Sequence, residues 1–437
     1  MEKKLSASII IFILLMIGFI FSVKVSEQQN NRYLRENYVQ STQIKENAAT
    51  TISAPTEKAI EYHQKKVIIW VTSIVLGMVV PAFFLFSGLS ASIRNWAQNR
   101  SRAAFIVFIL YFIVYYLISS LISLPLDYYS SFVLKHTYGL SNQSFAKWIG
   151  DFLKSFAMAI AAGSALICIP YALIKKSPGY WWLYFGLLLI PVLFFITFIS
   201  PVYIDPIFNK YEKVQDTKLE AKIYDLIDKT DIKNVKVYQV NKSVDTKEMN
   251  AYMTGILNTK RIVLWDTTIK NLTDRETLGI VAHEMGHYLM GHVWKAIILG
   301  GILNVFVFYL INKVALWVLN KSGGAFSVTK LYDIASLPLL MLLLSIFMFI
   351  ASPIINTYSR YTETEADRFE LELTRDNEAS MSSMIKLHQT SLVLPTPGVI
   401  YKLWNYDHPT FEERVNFAKN YKPWEEGKSL KYQKYIK

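Results

Sequence analysis

Seven stretches of this chain, at 6–24, 67–90, 103–126, 154–175, 179–200, 294–319 and 333–358, are almost wholly apolar. Each is close to or above the roughly 20 residues that a helix needs to cross a bilayer. No other feature restricts the fold so tightly, because a backbone in lipid must satisfy its own hydrogen bonds, and apolar runs of this length do so as helices. Composition agrees: 18% of the 437 residues are charged, against about 25% in an ordinary soluble domain. The expectation is a mainly α, polytopic membrane protein with seven transmembrane helices.

The first run follows Met1-Glu2-Lys3-Lys4, which is like the start of a signal peptide, but no small-x-small cleavage site follows it. We read it as a retained anchor. Residues 25–66 are polar, contain Ala54-Pro55-Thr56, and are expected to form a solvated loop, with room in it for short amphipathic helices. The organisation is therefore read as five spans in 1–202, a polar region in 203–293, spans six and seven in 294–358, and a polar C-terminal region in 359–437; the two polar regions are the ones in which the chemistry is expected. Cys168 is the single cysteine, which excludes an intrachain disulfide and a thiolate metal site. The formal charge of +12 is scattered, with several basic residues flanking apolar runs, so the bilayer is the expected partner and nucleic acid is not.

The polar region before span six carries the chemistry. Residues 235–240 alternate like a strand, and Asn250-Ala251-Tyr252 and Arg261–Trp265 flank a turn near Asn258, which predicts a small β-hairpin. Thr273-Asp274-Arg275-Glu276 is a capping box that starts a helix. On that helix lies His283-Glu284-Met285-Gly286-His287. Two histidines at this spacing differ by about 40° around the axis and face one metal, while the glutamate beside them reaches a water on it. If the helix ran on, His292 would point to the opposite side, about 180° from His283, and could not be a ligand.

A catalytic zinc takes three protein ligands and keeps one position open. After span seven come Arg360, Glu363, Glu365, Asp367 and Arg368. Glu363 and Asp367 share one helix face, so they could supply one ligand and one supporting carboxylate. Taken alone, the stretch fits a solvated acidic face paired with its arginines equally well. Topology separates the two readings. The chain crosses the bilayer twice between His287 and Glu363 and returns to the same side, each lying about 10 Å along its helix from a span. Both ligand helices are thus expected to be extensions of spans six and seven.

These residues resemble the integral-membrane zinc endopeptidases typified by the type I CAAX prenyl protease, or a-factor-converting enzyme, which are related to the HtpX-type proteases. The matching motifs are His283–His287, Ser359-Arg360-x-x-Glu363-x-x-Ala366-Asp367, Asn250-Ala251-Tyr252, Lys260–Leu264 with Asp266-Thr267, and His408-Pro409; weaker matches lie at 138–144 and 204–210. The resemblance implies a gluzincin-like protease holding one zinc ion per chain through His283, His287 and Glu363. It also implies Glu284 as general base and Asp367 orienting His283. His408 is the candidate donor to the oxyanion, and Asn250-Ala251-Tyr252 the strand edge that holds an extended peptide. Arg360 would balance the carboxylates or bind a peptide carboxylate.

The expected partners are a peptide or protein substrate, prenylated or embedded in the membrane, and the bilayer itself. Two substrate readings stand: trimming of prenylated CAAX peptides, and quality-control cleavage of membrane proteins. An alternative of another class is a zinc-stabilised membrane scaffold or chaperone, against which Glu284 argues, since a structural zinc needs no base. The Lys- and Ile-rich, cysteine-poor composition points to a bacterial cell membrane, with the endoplasmic reticulum as the eukaryotic equivalent. Basic residues flank both membrane faces, so charge does not fix the orientation; the resemblance implies a cytoplasm-facing site.

Overall fold

The computed structural model describes residues 3–38 and 52–437. In chain order it has α1 (Lys3–Tyr38), α2 (Glu57–Phe86), α3 (Leu89–Arg100), α4 (Ala104–Tyr128), α5 (Leu134–Thr137), α6 (Phe145–Lys176) and α7 (Trp181–Tyr203). Next come β1 (Tyr211–Lys213), α8 (Thr217–Asp228), β2 (Lys236–Val240), β3 (Ala251–Thr254), β4 (Arg261–Trp265), α9 (Asp266–Asn271) and α10 (Asp274–Leu289). The last elements are α11 (His292–Ser322), α12 (Leu337–Thr374), α13 (Asn377–Thr390), α14 (Val399–Asn405) and α15 (Phe411–Asn420). Among the described residues seven helices are long and apolar enough to span a bilayer, with α4 and α5 joined into one rod by a π turn. Their outer faces leave Ile10, Leu14, Phe195, Ile302 and Ile354 mostly exposed. An apolar surface of this extent needs lipid.

The polar segment after the first span is not the expected solvated loop. Residues 25–38 continue α1, and 57–66 open α2, whose N-cap Thr56 accepts the Ala59 N–H at 3.1 Å; residues 39–51 of the expected loop lie outside the described residues. Residues 25–38 contain no proline or glycine, and Glu27, Asn30, Leu34 and Tyr38 form one buried stripe at helical spacing. The polar members of that stripe bond to the far end of the chain. Asn30 donates to the Thr396 carbonyl at 3.0 Å, and Glu27 accepts the Gly398 N–H at 3.1 Å while pairing with His63 at 2.9 Å. The segment is amphipathic: Glu27, Asn30 and His63 are buried, while Gln28, Gln29, Arg32, Arg35 and Glu36 face solvent.

The expected hairpin is β3–β4, but it belongs to a four-stranded mixed sheet of order β1-β2-β4-β3, in which only β2 and β4 are parallel. Strand β3 is an edge. The buried face of the sheet, through Ile262 and Leu264, packs with Ile223 of α8, Val281 and Met285 of α10, and Phe369 of α12 in one core.

Two helices leave that core towards the bilayer by different routes. Helix α12 is unbroken over 38 residues, or about 57 Å, so one rod crosses the roughly 30 Å of hydrocarbon and continues beyond it. Helix α10 is not such an extension. It ends at Leu289, Gly291 adopts φ 65° in the left-handed region, and α11 starts afresh at His292. Glycine takes that conformation without the steric cost of a Cβ, which turns the chain into span six.

Candidate metal centre

Helix α10 is fixed at its start by the capping box: Thr273 Oγ1 accepts the Glu276 N–H at 3.4 Å, and Glu276 Oε2 accepts the Thr273 N–H at 2.7 Å. Glu276 also takes hydrogen bonds from Ser382 and Lys386 of α13, at 2.6 and 2.7 Å. Burial opposes its charge, yet Lys386 and these donors lower its pKa below the ordinary value. One side chain thus sets where the helix begins and ties it to its neighbour.

Gly286 lets α10 approach α12. A Cβ added there would lie 2.9 Å from the Phe369 ring. At this approach the Nε2 atoms of His283 and His287 stand 3.1 Å apart, with Glu363 oxygens 3.1 Å from the first and 3.3 Å from the second. Ligands at the 2.0–2.1 Å of zinc bonds stand roughly 3.3 Å apart at tetrahedral angles. The three residues therefore fit the coordination shell of a zinc-sized ion. Their outer nitrogens each have a polar neighbour, as ligating imidazoles require. His283 Nδ1 lies 2.9 Å from Asp367 Oδ1, and His287 Nδ1 lies 3.0 Å from His292 Nδ1. With the Nδ1 protons turned outward, the two Nε2 atoms and the Glu363 carboxylate face one spot that calls for a cation, either a metal ion or, without one, a proton shared between His283 Nε2 and Glu363. Burial opposes a charge on His283, yet the hydrogen bonds to Asp367 and Glu363 raise its pKa well above the imidazole range. That is the mark of surplus negative charge.

Glu284 lies beside this spot, partly buried. Its enclosure raises its pKa, against the effects of His283 and His287 and of a hydrogen bond from the Met253 backbone. That bond follows from the β3–β4 register. Trp265 N–H donates to the Asn250 carbonyl at 3.0 Å, so Ala251 and Met253 turn their backbone groups away from β4. The free edge of β3 thus faces α10. Asn250 Oδ1 accepts the Ala251 N–H at 2.8 Å, and Tyr252 bonds through its hydroxyl to Tyr211 at 3.0 Å.

His408 joins the group from the segment between α14 and α15. Its Nε2 is 3.4 Å from Glu363 and its Nδ1 is 2.8 Å from Asp407. Half of its side chain is exposed; partial desolvation works against its charge, but the Asp407 bond and the Glu363 charge raise its pKa. A cavity of about 430 Å³ opens beside it, lined by Asn250, Lys66, His388, Tyr406 and Arg414 among others. Among the described residues Arg360 forms no ion pair with Glu363 or Asp367. It donates to the Tyr406 and Lys402 carbonyls at 2.7 and 3.3 Å and to Thr357 at 2.7 Å, so it braces the segment that carries His408.

Sequence reasoning missed two residues. His292 was set aside by assuming a continuous helix, and the turn at Gly291 brings it back onto His287. Arg414 grips Asp367 with two hydrogen bonds, at 2.9 and 2.5 Å; it lies on α15, and no spacing in the sequence connects it to α12.

Comparison with known proteins extends over nearly the whole chain. Residues 213–422 match Peptidase family M48, and residues 35–210 match the description CAAX prenyl protease N-terminal, five membrane helices. A metalloprotease of Bacillus subtilis is 37% identical over 366 residues, covering 83% of this chain and 86% of the relative. The CAAX prenyl protease 1 homolog of Dictyostelium discoideum is 30% identical over 311 residues, covering 68% of this chain and 70% of the relative. The crystal structure of S. mikatae Ste24p shares the fold, with a TM-score of 0.76 at 23% identity, covering 93% of this chain and 99% of the other.

Proposed function

Since the chain belongs to peptidase family M48, and is therefore a membrane metallopeptidase, we propose that it is a zinc endopeptidase with His283, His287 and Glu363 as ligands and Glu284 as general base. The observation that carries this reading is the convergence of two imidazole Nε2 atoms, 3.1 Å apart, with the Glu363 carboxylate, whose two oxygens lie 3.1 Å from His283 and 3.3 Å from His287, from two helices meeting at the end of the last span. Bound there, zinc supplies a Lewis acid that lowers the pKa of a water towards 7.

The protein's own groups do the rest. Glu284 takes the proton of the attacking water and passes it to the leaving amine. Asp367 holds the Nδ1–H of His283, His292 takes that of His287, and Arg414 keeps Asp367 ionised and in place. His408 donates to the developing oxyanion, a contribution of about 3 kcal/mol for one such donor. The β3 edge at Asn250-Ala251-Tyr252 pairs with the peptide backbone and presents it to Glu284, largely independent of sequence.

The relatives named CAAX prenyl protease 1 support a peptide with a CAAX-type C-terminus as substrate. The experiment is zinc-dependent cleavage of a peptide library and of a farnesylated CAAX peptide, for wild type and Glu284→Gln. The variant is expected to keep its metal and lose on the order of 10²–10⁴ in rate; equal cleavage by both sinks the mechanism. Faster cleavage of segments from misfolded membrane proteins than of the farnesylated peptide would favour the quality-control reading. The metal face is taken as cytoplasmic, as the resemblance implies. An impermeant thiol reagent should then label Glu425→Cys, in a Cys168→Ser background, only after cells are opened.

A further inference from the structure

At the opposite end of the helices from the metal site lies a cavity of about 690 Å³ whose rim carries Arg102, Lys175, Lys176 and Lys330. The single carboxylate in the lining, Asp333, is already paired with Arg94. Lys330 lies over the Tyr332 ring at 5.5 Å, whereas Arg102, Lys175 and Lys176 have no carboxylate partner among the described residues. All four cations are exposed. The cavity thus holds a surplus of positive charge that the protein itself does not neutralise.

Its depth and walls restrict what fits. Helix α4 begins at Ala104 and α6 ends at Lys176, so the cations ring the level at which two spans leave the hydrocarbon. Exposed Tyr180 and Tyr332 stand near the same level, as aromatic residues do at a bilayer boundary. Below the cations the lining is apolar, with Val107, Phe108 and Ala172, and Phe105 and Ile106 beside it are exposed. From Ala104 to Phe108 is roughly 6 Å along the helix, enough to pass from head group to acyl chain. A small soluble anion would use the rim and leave the apolar wall unexplained.

We propose that this cavity binds an anionic phospholipid, with Arg102, Lys175, Lys176 and Lys330 on its phosphate head group and the α4–α6 wall against the start of its chains. Basic pockets between membrane helices hold head groups in this way, because the charge attraction adds to the chain's preference for an apolar wall. The site is separate from the peptidase centre and does not depend on the reading given to it.

The test is native mass spectrometry of the full chain released from nanodiscs containing phosphatidylglycerol and phosphatidylcholine. Wild type should retain phosphatidylglycerol in preference, and the triple variant R102Q/K175Q/K176Q should lose at least tenfold in retention, each charge near a bilayer surface being worth about fivefold. Unchanged metal content and peptide cleavage in the triple variant will show that it is folded. Lys210→Gln with Lys213→Gln, at the other end of the helices, should keep the lipid. The proposal is overturned if the triple variant retains phosphatidylglycerol like wild type, if phosphatidylcholine is held as firmly, or if the control pair loses as much. Displacement of the lipid by an equal concentration of inorganic phosphate would mark a site for the bare anion and overturn the lipid assignment.

Discussion

Gly286→Ala isolates the packing that brings the two ligand helices together. The added Cβ would meet Phe369 Cδ1 at 2.9 Å and its Cβ and Cγ at 3.2 Å, about 0.5 Å inside comfortable contact at the closest point. Phe369 is fully buried, with the Tyr432 and Tyr435 rings behind it at 6.3 and 6.5 Å between centroids, so it cannot swing aside. Overpacking of this kind costs about 1–3 kcal/mol. Alanine's helix propensity returns about 1 kcal/mol, which leaves a net loss of about 0–2 kcal/mol. The larger effect falls on the ligands. A shift of several tenths of an ångström between α10 and α12 stretches the His283–Glu363 and His287–Glu363 separations, 3.1 and 3.3 Å in this fold, past a zinc tetrahedron. Zinc affinity should fall on the order of tenfold, measured by competition with a chromophoric chelator, while thermal unfolding changes little. Adding Phe369→Leu should restore most of the affinity. If Gly286→Ala binds zinc like wild type, or if the double variant fails to recover while both variants are folded, the packing argument is wrong.

His292→Ala should weaken zinc binding by about 10–100-fold, the usual effect of removing a group that orients a ligand, with His292→Gln recovering part of it; unchanged affinity would show that the contact with His287 does not orient the ring. His408→Ala should leave zinc affinity intact and lower kcat by on the order of 10²-fold, and a fall confined to KM would reassign it to substrate binding. Glu276 gives a pH dependence. Its folded pKa lies below its ordinary value of 4.5, so its contribution is present above that value, fades as pH falls below it, and is lost as pH falls through the folded pKa. The difference in Tm between wild type and Glu276→Gln should therefore be full at neutral pH and shrink below about pH 4; a constant difference would exclude the ion pair with Lys386 as its source.

The parts of this protein that could be read from sequence are those set by local periodicity. The seven spans, the capping box of α10 and the shared face of Glu363 and Asp367 all follow from helical spacing, and counting membrane crossings placed His287 and Glu363 on one side. What stayed hidden depends on one backbone torsion or on long-range pairing. His292 was invisible because a left-handed Gly291 breaks the helix and turns the chain immediately before it. Arg414 reaches Asp367 across 47 residues, and Glu27 and Asn30 look like a solvated loop until residues 396–398 close over them. Strands β1 and β2 completed the sheet through pairings that alternation within a strand does not specify.

The central claim is that two imidazoles and one carboxylate, delivered by a capped helix and by the end of a membrane span, hold a single zinc ion with one position open. X-ray absorption at the zinc edge of the purified full chain tests it most directly. The account predicts one zinc per chain in a four-coordinate shell of nitrogen and oxygen at about 2.0–2.1 Å with two histidine scattering paths, reduced to one in His287→Ala. A six-coordinate shell, a shell unchanged in His287→Ala, or a chain that cleaves peptide with no metal bound would contradict it.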